Sequence, residues 1–378
     1  MTSTVLASVV LAAALAPGAV TLENGTMRIE FGDESEGFAV RRIVNRLAGD
    51  RAFVGDAKDV PRFWMLRFVR PEGGSNAVET VANRRRAASR TCTVADGVAT
   101  FLWKGIDLPG EPGAFDVAAR VVLKPDSPLS EWTIRVRNRS TRWALESTHY
   151  PCLTRVVSAD DPDARVLAPT KNLGGQLRTA ADWRKAPIGT SFRYPSCRLQ
   201  MCSFLSGDTG LYIATHDGES RDKTLVIAPD TTFRCETVVE NAGVSGKAAE
   251  GPRYAVTTAA FRGDWWQAAK RYRAWALRQR WCAKGRIADR TDWPQAMTDV
   301  DAWLVASQNS PEEVRERLSK ARELYPDLRL GVHWYGWNGK QGLSECPYFT
   351  PGPGAKETID LAKSLKILLM PYVDGRLQ

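Results

Sequence analysis

Residues 302–334 read AWLVASQNSPEEVRERLSKARELYPDLRLGVHW, and the order of patterns in that stretch decides the fold class of the C-terminal part. Ala302–Ala306 is a short apolar run of strand length. Ser310-Pro311-Glu312-Glu313 then signals a helix start. It has a hydroxyl at the cap, a proline where a missing N–H is no loss, and a glutamate three residues after the cap that can reach back to it. Val314, Leu318, Ala321 and Leu324/Tyr325 recur at helical spacing, and Pro326 stops the helix. Leu328–Trp334 is expected as a second strand, about Ala355–Leu365 as a second helix, and Ile367–Val373 as a third strand. That third strand is nearly continuous in apolar residues, as parallel strands covered on both faces are. Strand, helix, strand, helix, strand is the signature of right-handed βαβ units.

Upstream the period changes from 3.6 to 2. From Val20 to about Phe261 the chain reads as one strand after another. Met27, Ile29 and Phe31 alternate with Arg28 and Glu30, and Trp132, Ile134 and Val136 alternate with Thr133, Arg135 and Arg137. Such alternation marks strands with one buried and one wet face. Turn chemistry at Asp96-Gly97, Pro109-Gly110 and Gly207-Asp208 separates them. About 240 residues of antiparallel strand make a large sandwich. Gly263-Asp264 closes the stretch. Asp264 can cap a helix with the apolar face Trp265, Ala268/Ala269, Tyr272, Trp275/Ala276, expected to end near Trp281 before Gly285. The division expected is therefore a sandwich over residues 20–262, a linking helix over 263–291 and an α/β part over 292–378.

A closed (β/α)₈ barrel needs ~250 residues, about three times the span from Asp292 to Gln378. The expectation is thus an incomplete barrel, the front of a longer protein cut after its third strand. The alternative is a small α/β appendage, although it would leave the third strand at an unpaired edge.

The 378 residues are 43% hydrophobic and 25% charged, which excludes wholesale disorder. Fifty-two Lys and Arg against 43 Asp and Glu give +9, a mild bias for this length. Arg84-Arg85-Arg86 reads as a solvated strand or loop, and nucleic acid is not an expected partner. Val5–Ala16 is apolar except for Ser8 and is followed by Pro17-Gly18. That run is too short for a stable membrane span but suits a secretory signal over residues 1–19, and hence a secreted or periplasmic protein. Against it, Met1–Thr4 has no Lys or Arg, and proline follows Ala16. The other reading is an apolar terminus from a misplaced start. Seven cysteines, at 92, 152, 197, 202, 235, 282 and 346, show no CxxC spacing. They read mostly as small buried hydrophobes, with no metal site and no cofactor expected.

In parallel α/β architectures chemistry sits at the carboxyl ends of the strands. Three clusters fall there: Ser307-Gln308-Asn309, then His333-Trp334-Tyr335-Gly336-Trp337-Asn338, then Tyr372-Val373-Asp374-Gly375-Arg376. Rings beside carboxylate, amide, guanidinium and imidazole groups suit a pyranose, whose C–H face meets a ring while its hydroxyls need polar partners. The expected sugar-binding residues are His333, Trp334, Tyr335, Trp337, Tyr372, Asp374 and Arg376. Each has a structural reading beside it. His333 and Trp334 can be core residues, Tyr335 and Trp337 can be packing, and Asp374 can cap the next turn. Glycoside hydrolysis needs two carboxyl groups. Asp374 lacks a convincing partner, since Glu345 lies in a long loop and Asp301 at a strand start, so no catalytic residue is assigned. There is no GxSxG, P-loop, GxGxxG or HExxH motif. In the sandwich, His216 and Asp217 at a strand end either face a site or pin a hairpin turn. Tyr194, His216 and Arg221 are a thin basis for a lyase.

Gly210-Leu211-Tyr212 through His216-Asp217, Phe261-Arg262-Gly263-Asp264-Trp265-Trp266, Tyr272-Arg273-Ala274-Trp275, Val332-His333-Trp334-Tyr335 and Met370-Pro371-Tyr372-Val373-Asp374-Gly375-Arg376-Leu377 occur in that order. Together they resemble a family of exported glycoside-hydrolase-like proteins, mostly described as a domain of unknown function. The resemblance implies a layout similar to α-galactosidases and endo-α-N-acetylgalactosaminidases. That layout is β plus α/β, a galactose-mutarotase-like β-supersandwich followed here by the first three βα units of an incomplete (β/α)₈ barrel. The implied partner is an oligo- or polysaccharide. The third-strand motif departs from the family pattern, which more often has Asn where Asp374 stands. Related glycosidases place nucleophile and acid on later strands, so the resemblance implies that the catalytic carboxylates lie outside this chain. The alternative function is a non-catalytic carbohydrate-binding sandwich, and a third reading is a decaying gene product.

Overall fold

A computed structural model describes residues 18–55, 60–72, 75–171, 174–187, 189–239, 242–245, 251–306, 310–338 and 350–372. They form two compact units, one up to Gln279 and one from Arg280.

In the first unit the alternation of apolar residues is converted into three antiparallel sheets. Val20–Glu23, Met27–Phe31, Val40–Asn45 and Arg51–Phe53 make a four-stranded sheet. A nine-stranded sheet runs from Gly174–Thr179 through Ala164–Thr170, Met201–Ser206, Thr209–Thr215, Val256–Arg262, Ser130–Asn138, Glu111–Leu123 and Val98–Leu108 to Ala87–Ala95. A six-stranded sheet places Ala144–Leu153 between Phe233–Val238 and Met65–Glu72. Met27, Ile29 and Phe31 are buried, as are Trp132, Ile134 and Val136, so the period-2 reading holds at the residues on which it rests. One core joins all three sheets. At its centre Phe63 meets Phe101 at 5.0 Å and 89°, and Phe31 meets Phe101 at 4.8 Å. Trp64 and Trp103 cross at 90°. Edge-on and tilted contacts of this kind set the positive edge of one ring against the face of another. Five of the thirteen tryptophans, at 64, 103, 132, 143 and 183, are buried here. Asn45 joins the small sheet to the large one, its amide donating to Gly210 O and Phe261 O. Gly210 must be glycine, because a Cβ there would lie 2.1 Å from the Phe261 ring.

The other face of the nine-stranded sheet is covered by the helix Trp265–Ala276. Ala268 packs with Leu167, Met201, Leu205, Tyr212 and Phe261. Asp264 caps it, accepting from Trp266 N at 3.0 Å. The helix ends at Ala276, earlier than the expected Trp281, because the chain tightens there. Arg278 N and the Gln279 side chain both donate to Trp275 O. Trp265 and Trp266, 42% and 52% exposed, stand at the first turn and do not join the buried face. His216 is sandwiched into this layer. Its ring stacks on Trp275 at 4.8 Å and 7°, and its Nε2 lies 2.9 Å from Tyr212 Oη. Arg84, Arg85 and Arg86 are exposed, as expected of a solvated strand or loop. Cys152, Cys197, Cys202 and Cys235 are buried free thiols.

In the second unit Ala302–Ala306, Leu330–Trp334 and Leu368–Pro371 form a parallel sheet in chain order. Helices Pro311–Leu324 and Ala355–Ser364 lie between them in sequence. The first helix carries the expected capping box. Ser310 Oγ accepts from Glu313 N, and Glu313 Oε2 accepts from Ser310 N at 3.0 Å. Val314, Leu318 and Ala321 are buried, but Leu324 and Tyr325 lie past the turn and are exposed. The second strand begins at Leu330, two residues after the expected start. Arg329 at its threshold is held by Asp301, which accepts from the Arg329 amide at 2.8 Å and from its guanidinium. Arg322 donates to Leu328 O, Tyr325 O and Leu365 O, tying the ends of both helices together. Leu330, Val332 and Trp334 face these helices. The opposite face carries Trp303 and Val305, 40% and 61% exposed, with the Trp303 ring lying over Gly331.

Two outcomes test this packing. Burial pushes the His216 pKa down to about 4, and Arg278 and Arg271 push it the same way. The unfolded chain, titrating near 6.5, therefore takes up a proton between about pH 6.5 and 4 that the folded chain refuses. His216 contributes stability that is complete above pH 6.5 and falls by up to ~3 kcal/mol toward pH 4. His216→Phe keeps the stack and removes the proton site. Its Tm should fall less steeply over that window than the parent's, and parallel curves would refute the assignment. Ser310→Ala should remove about 1 kcal/mol from the second unit in urea denaturation, whereas an unshifted transition would show that the box holds nothing.

Candidate functional site

Strand alternation sorts the expected site residues. In Leu330–Trp334 the even positions face the helices, so His333 takes the other face and Trp334 does not. The parallel ladder continues past the strand ends. Tyr335 N donates to Ala306 O and Tyr372 N donates to Trp334 O, both at 2.9 Å. This sets Tyr335 and Tyr372 level with each other, two positions beyond His333 and its register partner Met370. All three rings then meet. His333 lies 4.6 Å from Tyr335 and 5.4 Å from Tyr372, and the two tyrosines stack at 4.4 Å and 27°.

Trp337 joins the cluster through its edge. Its Nε1 donates to Tyr372 O at 2.7 Å, and its own carbonyl accepts from Gly352 N. The loop after the second strand is thereby tied to the end of the third. Trp334 takes its core reading over the sugar-facing one. It is 2% exposed and belongs to the helix-side core, and it lines with Trp337, Ala355 and Ile359 an apolar cavity of about 390 Å³. A one-residue step along a strand reverses the face, which is why His333 and Trp334 separate. Asp374, Arg376, Glu345 and the Ser307-Gln308-Asn309 segment lie outside the described residues. Asp301 sits at the start of the first parallel strand, and Arg329 holds its carboxyl down at about 2. It is a strap between two strand starts, remote from the aromatic cluster by the length of the strand.

In the sandwich, Asp217 holds the turn that follows its strand. Its carboxylate accepts from Arg221 N at 2.6 Å, Glu219 N at 3.0 Å, Arg221 Nη1 at 3.0 Å and Lys223 Nζ at 2.7 Å. Burial alone would raise its pKa, but the Lys223 hydrogen bond and charge, with the two amides, outweigh it and hold the group ionised. Lys223 is fully buried, and burial pushes its own pKa down against the opposing pull of Asp217. Its ammonium lies over the rings of Tyr194 and Tyr254, at 4.9 and 4.6 Å, and donates to Gln200 Oε1. The hairpin-pinning reading of Asp217 is the one realised. Tyr194, His216 and Arg221 each engage different groups, namely Lys223 and Ser220, Trp275 and Tyr212, and Asp217. Tyr194 and Arg221 thus meet on the buried Lys223–Asp217 pair, while His216 belongs to the Trp275 layer. Sequence reasoning missed Lys223 and Gln200. A lysine opening the otherwise apolar run Leu225-Val226-Ile227 was the signal available. Among the described residues no three His, Cys, Asp or Glu side chains converge as a metal ion would require.

Residues 251–378 match the model of a domain of unknown function, DUF6259. A protein of Bacteroides thetaiotaomicron named "Putative glycoside hydrolase" is 26% identical over 274 residues, 68% of this chain and 37% of that one. Among solved structures, a quadruple mutant of the alpha-N-acetylgalactosaminidase NagBb of Bifidobacterium bifidum superposes with a TM-score of 0.63 at 14% identity, covering 93% of this chain and 59% of that enzyme. The ligand-free form of the same enzyme gives 0.61 at 11% identity, covering 93% and 58%. The chain thus spans under two thirds of the length of each of these proteins. The chain is thus similar over 274 residues to a protein named as a putative glycoside hydrolase, shares the fold of the solved enzyme, and matches the DUF6259 model over residues 251–378.

Proposed function

We propose that this protein acts on complex carbohydrate as the N-terminal part of an exported glycoside hydrolase, with the sugar seated at the carboxyl ends of the three parallel strands. The observation that carries the reading is the convergence there of His333, Tyr335 and Tyr372, with Trp337 hydrogen-bonded to the same strand end. Such a cluster offers ring faces to C–H groups, and phenol and imidazole groups to hydroxyls. The parallel strands are the first three of a (β/α)₈ barrel in this reading. The exposed apolar face carrying Trp303 and Val305 supports it, because barrel interiors are filled by such side chains from neighbouring strands. The two carboxyl groups needed for hydrolysis are assigned to later strands, in keeping with the share of the solved enzyme that this chain covers. Asp374 and Arg376 are proposed to complete the sugar subsite. The apolar run Val5–Ala16 supports a secreted or periplasmic location.

The name of the solved enzyme suggests glycans ending in α-linked N-acetylgalactosamine as the first to try. Calorimetric titration of the full chain with such an oligosaccharide should show binding. Tyr335→Ala or His333→Ala should weaken it about tenfold, equivalent to ~1.4 kcal/mol. Isotherms identical to the parent's in both variants would overturn the placement of the site.

A further inference from the structure

We infer that one outer face of the sandwich is a docking surface for an anionic polysaccharide, a chain bearing carboxylate or sulfate groups. The inference rests on the reading of the protein as carbohydrate-active but concerns a different surface and a charged polymer. The face belongs to the strands Val98–Leu108, Glu111–Leu123 and Ser130–Asn138 of the nine-stranded sheet. Alternation buries one side of each strand in the core and turns the other outward. The helix Trp265–Ala276 packs on Met201–Ser206, Thr209–Thr215 and Val256–Arg262 of the same sheet, and the three strands lie beside that cover.

Four cations stand on this face, Lys104, Arg120, Arg135 and Arg137, all exposed. The register gathers the arginines. Arg120 lies opposite Thr133, which sets it diagonal to Arg135, and Arg137 follows Arg135 two positions along the same strand. Neighbours of either kind are about 7 Å apart. Among the described residues none of the four makes an ion pair. Asp116, opposite Arg137, is already taken, since Arg139 donates to both its oxygens and Gly105 N donates to it at 2.8 Å. Glu131, two positions before Thr133, forms no ion pair with them either. Elsewhere on the sandwich exposed arginines have carboxylate partners, as Arg193 has Asp222 and Arg262 has Asp208. Like charges gathered without partners repel, and an anionic chain laid across them relieves the repulsion.

The floor between the cations chooses the ligand. Ala118, directly opposite Arg135, and Leu102, opposite Ala118, are half-buried, and Thr100 and Thr133 flank Arg120 on either side. An extended chain can lie flat on these small aliphatic and hydroxyl groups while the guanidinium forks take its oxyanions in bidentate pairs. Carboxylate and sulfate both fit that fork. None of the residues turned outward on these strands is aromatic, so a nucleotide base has no ring to stack on. A broad sheet face also cannot enter a duplex groove as a helix or a two-stranded ribbon does. Those two features favour a sugar polymer over a nucleic acid, in keeping with the carbohydrate-active reading.

The test is calorimetric titration of the full chain with polygalacturonate, dextran sulfate, uncharged dextran and duplex DNA, compared per anionic group. At least one charged polysaccharide should bind, uncharged dextran should not, and added salt should weaken the binding. The tighter of the two charged chains names the anionic group. Arg120→Thr/Arg135→Thr/Arg137→Thr replaces exposed residues by a good strand former. It should weaken binding about tenfold, as the loss of three exposed ion pairs implies, while keeping the circular dichroism of the parent. The single change Arg135→Thr, a smaller disturbance of the sheet, should weaken it about twofold. Arg84→Gln/Arg85→Gln/Arg86→Gln removes equal charge elsewhere and should bind like the parent. Equal weakening in both triple variants would reduce the effect to net charge and overturn the inference. Binding of neither charged polysaccharide, or binding indifferent to salt, also overturns it, and DNA bound more tightly than both overturns the choice of partner. Tyr335→Ala should leave this binding in place. Its loss there would move the anion to the strand ends, and oligosaccharide titration decides the strand-end reading separately.

Discussion

Everything in the first unit depends on burying a block of aromatic rings that no single sheet could cover. Phe31 comes from the four-stranded sheet, Phe101, Trp103 and Trp132 from the nine-stranded one, and Tyr150 from the six-stranded one, with Phe63 leading into it. Rings of this size remove large areas from water and fix their neighbours through edge-to-face contacts. Three sheets sharing one core leave the outer face of the largest sheet still apolar. The helix capped by Asp264 covers it through Ala268, Tyr272 and Trp275. His216 enters that layer as a neutral, stacked ring, which turns a candidate catalytic residue into a packing residue.

The second unit obeys a simpler constraint. Parallel strands twist past one another with a fixed register, so residues one step apart face opposite ways and residues level across the sheet share a face. His333, Tyr335 and Tyr372 are gathered by that rule alone, and Trp334 is excluded by it. The hydrogen bond from Trp337 to Tyr372 O then brings a loop side chain to the strand ends. Binding surfaces commonly combine loop groups with a rigid strand-end scaffold in this way.

Buried polar groups in the sandwich follow a third logic. Lys223 and Asp217 are both withdrawn from water, a costly arrangement unless every donor and acceptor finds a partner. Gln200, Arg221, two backbone amides and two tyrosine rings supply those partners. The outcome is a rigid turn after the strand Thr209–Thr215. Full burial of the Lys223 and Asp217 side chains argues for a structural role.

What the sequence determined by itself is whatever depends on neighbours a few residues away. The period of 2 before Phe261 and of 3.6 within Pro311–Leu324, the capping box at Ser310 and the cap at Asp264 are local, and each is legible because its physics is local. The motifs also carry the resemblance to glycoside-hydrolase-like proteins. The tertiary structure decided the rest, because it depends on which face a strand turns inward and on what lies across from it. It separated His333 from Trp334, buried Lys223 beside Asp217, exposed Trp265 and Trp266, and set Arg120 diagonal to Arg135 on a neighbouring strand. No spacing along the chain records those distances, since they are set only when the sheets close on their common core.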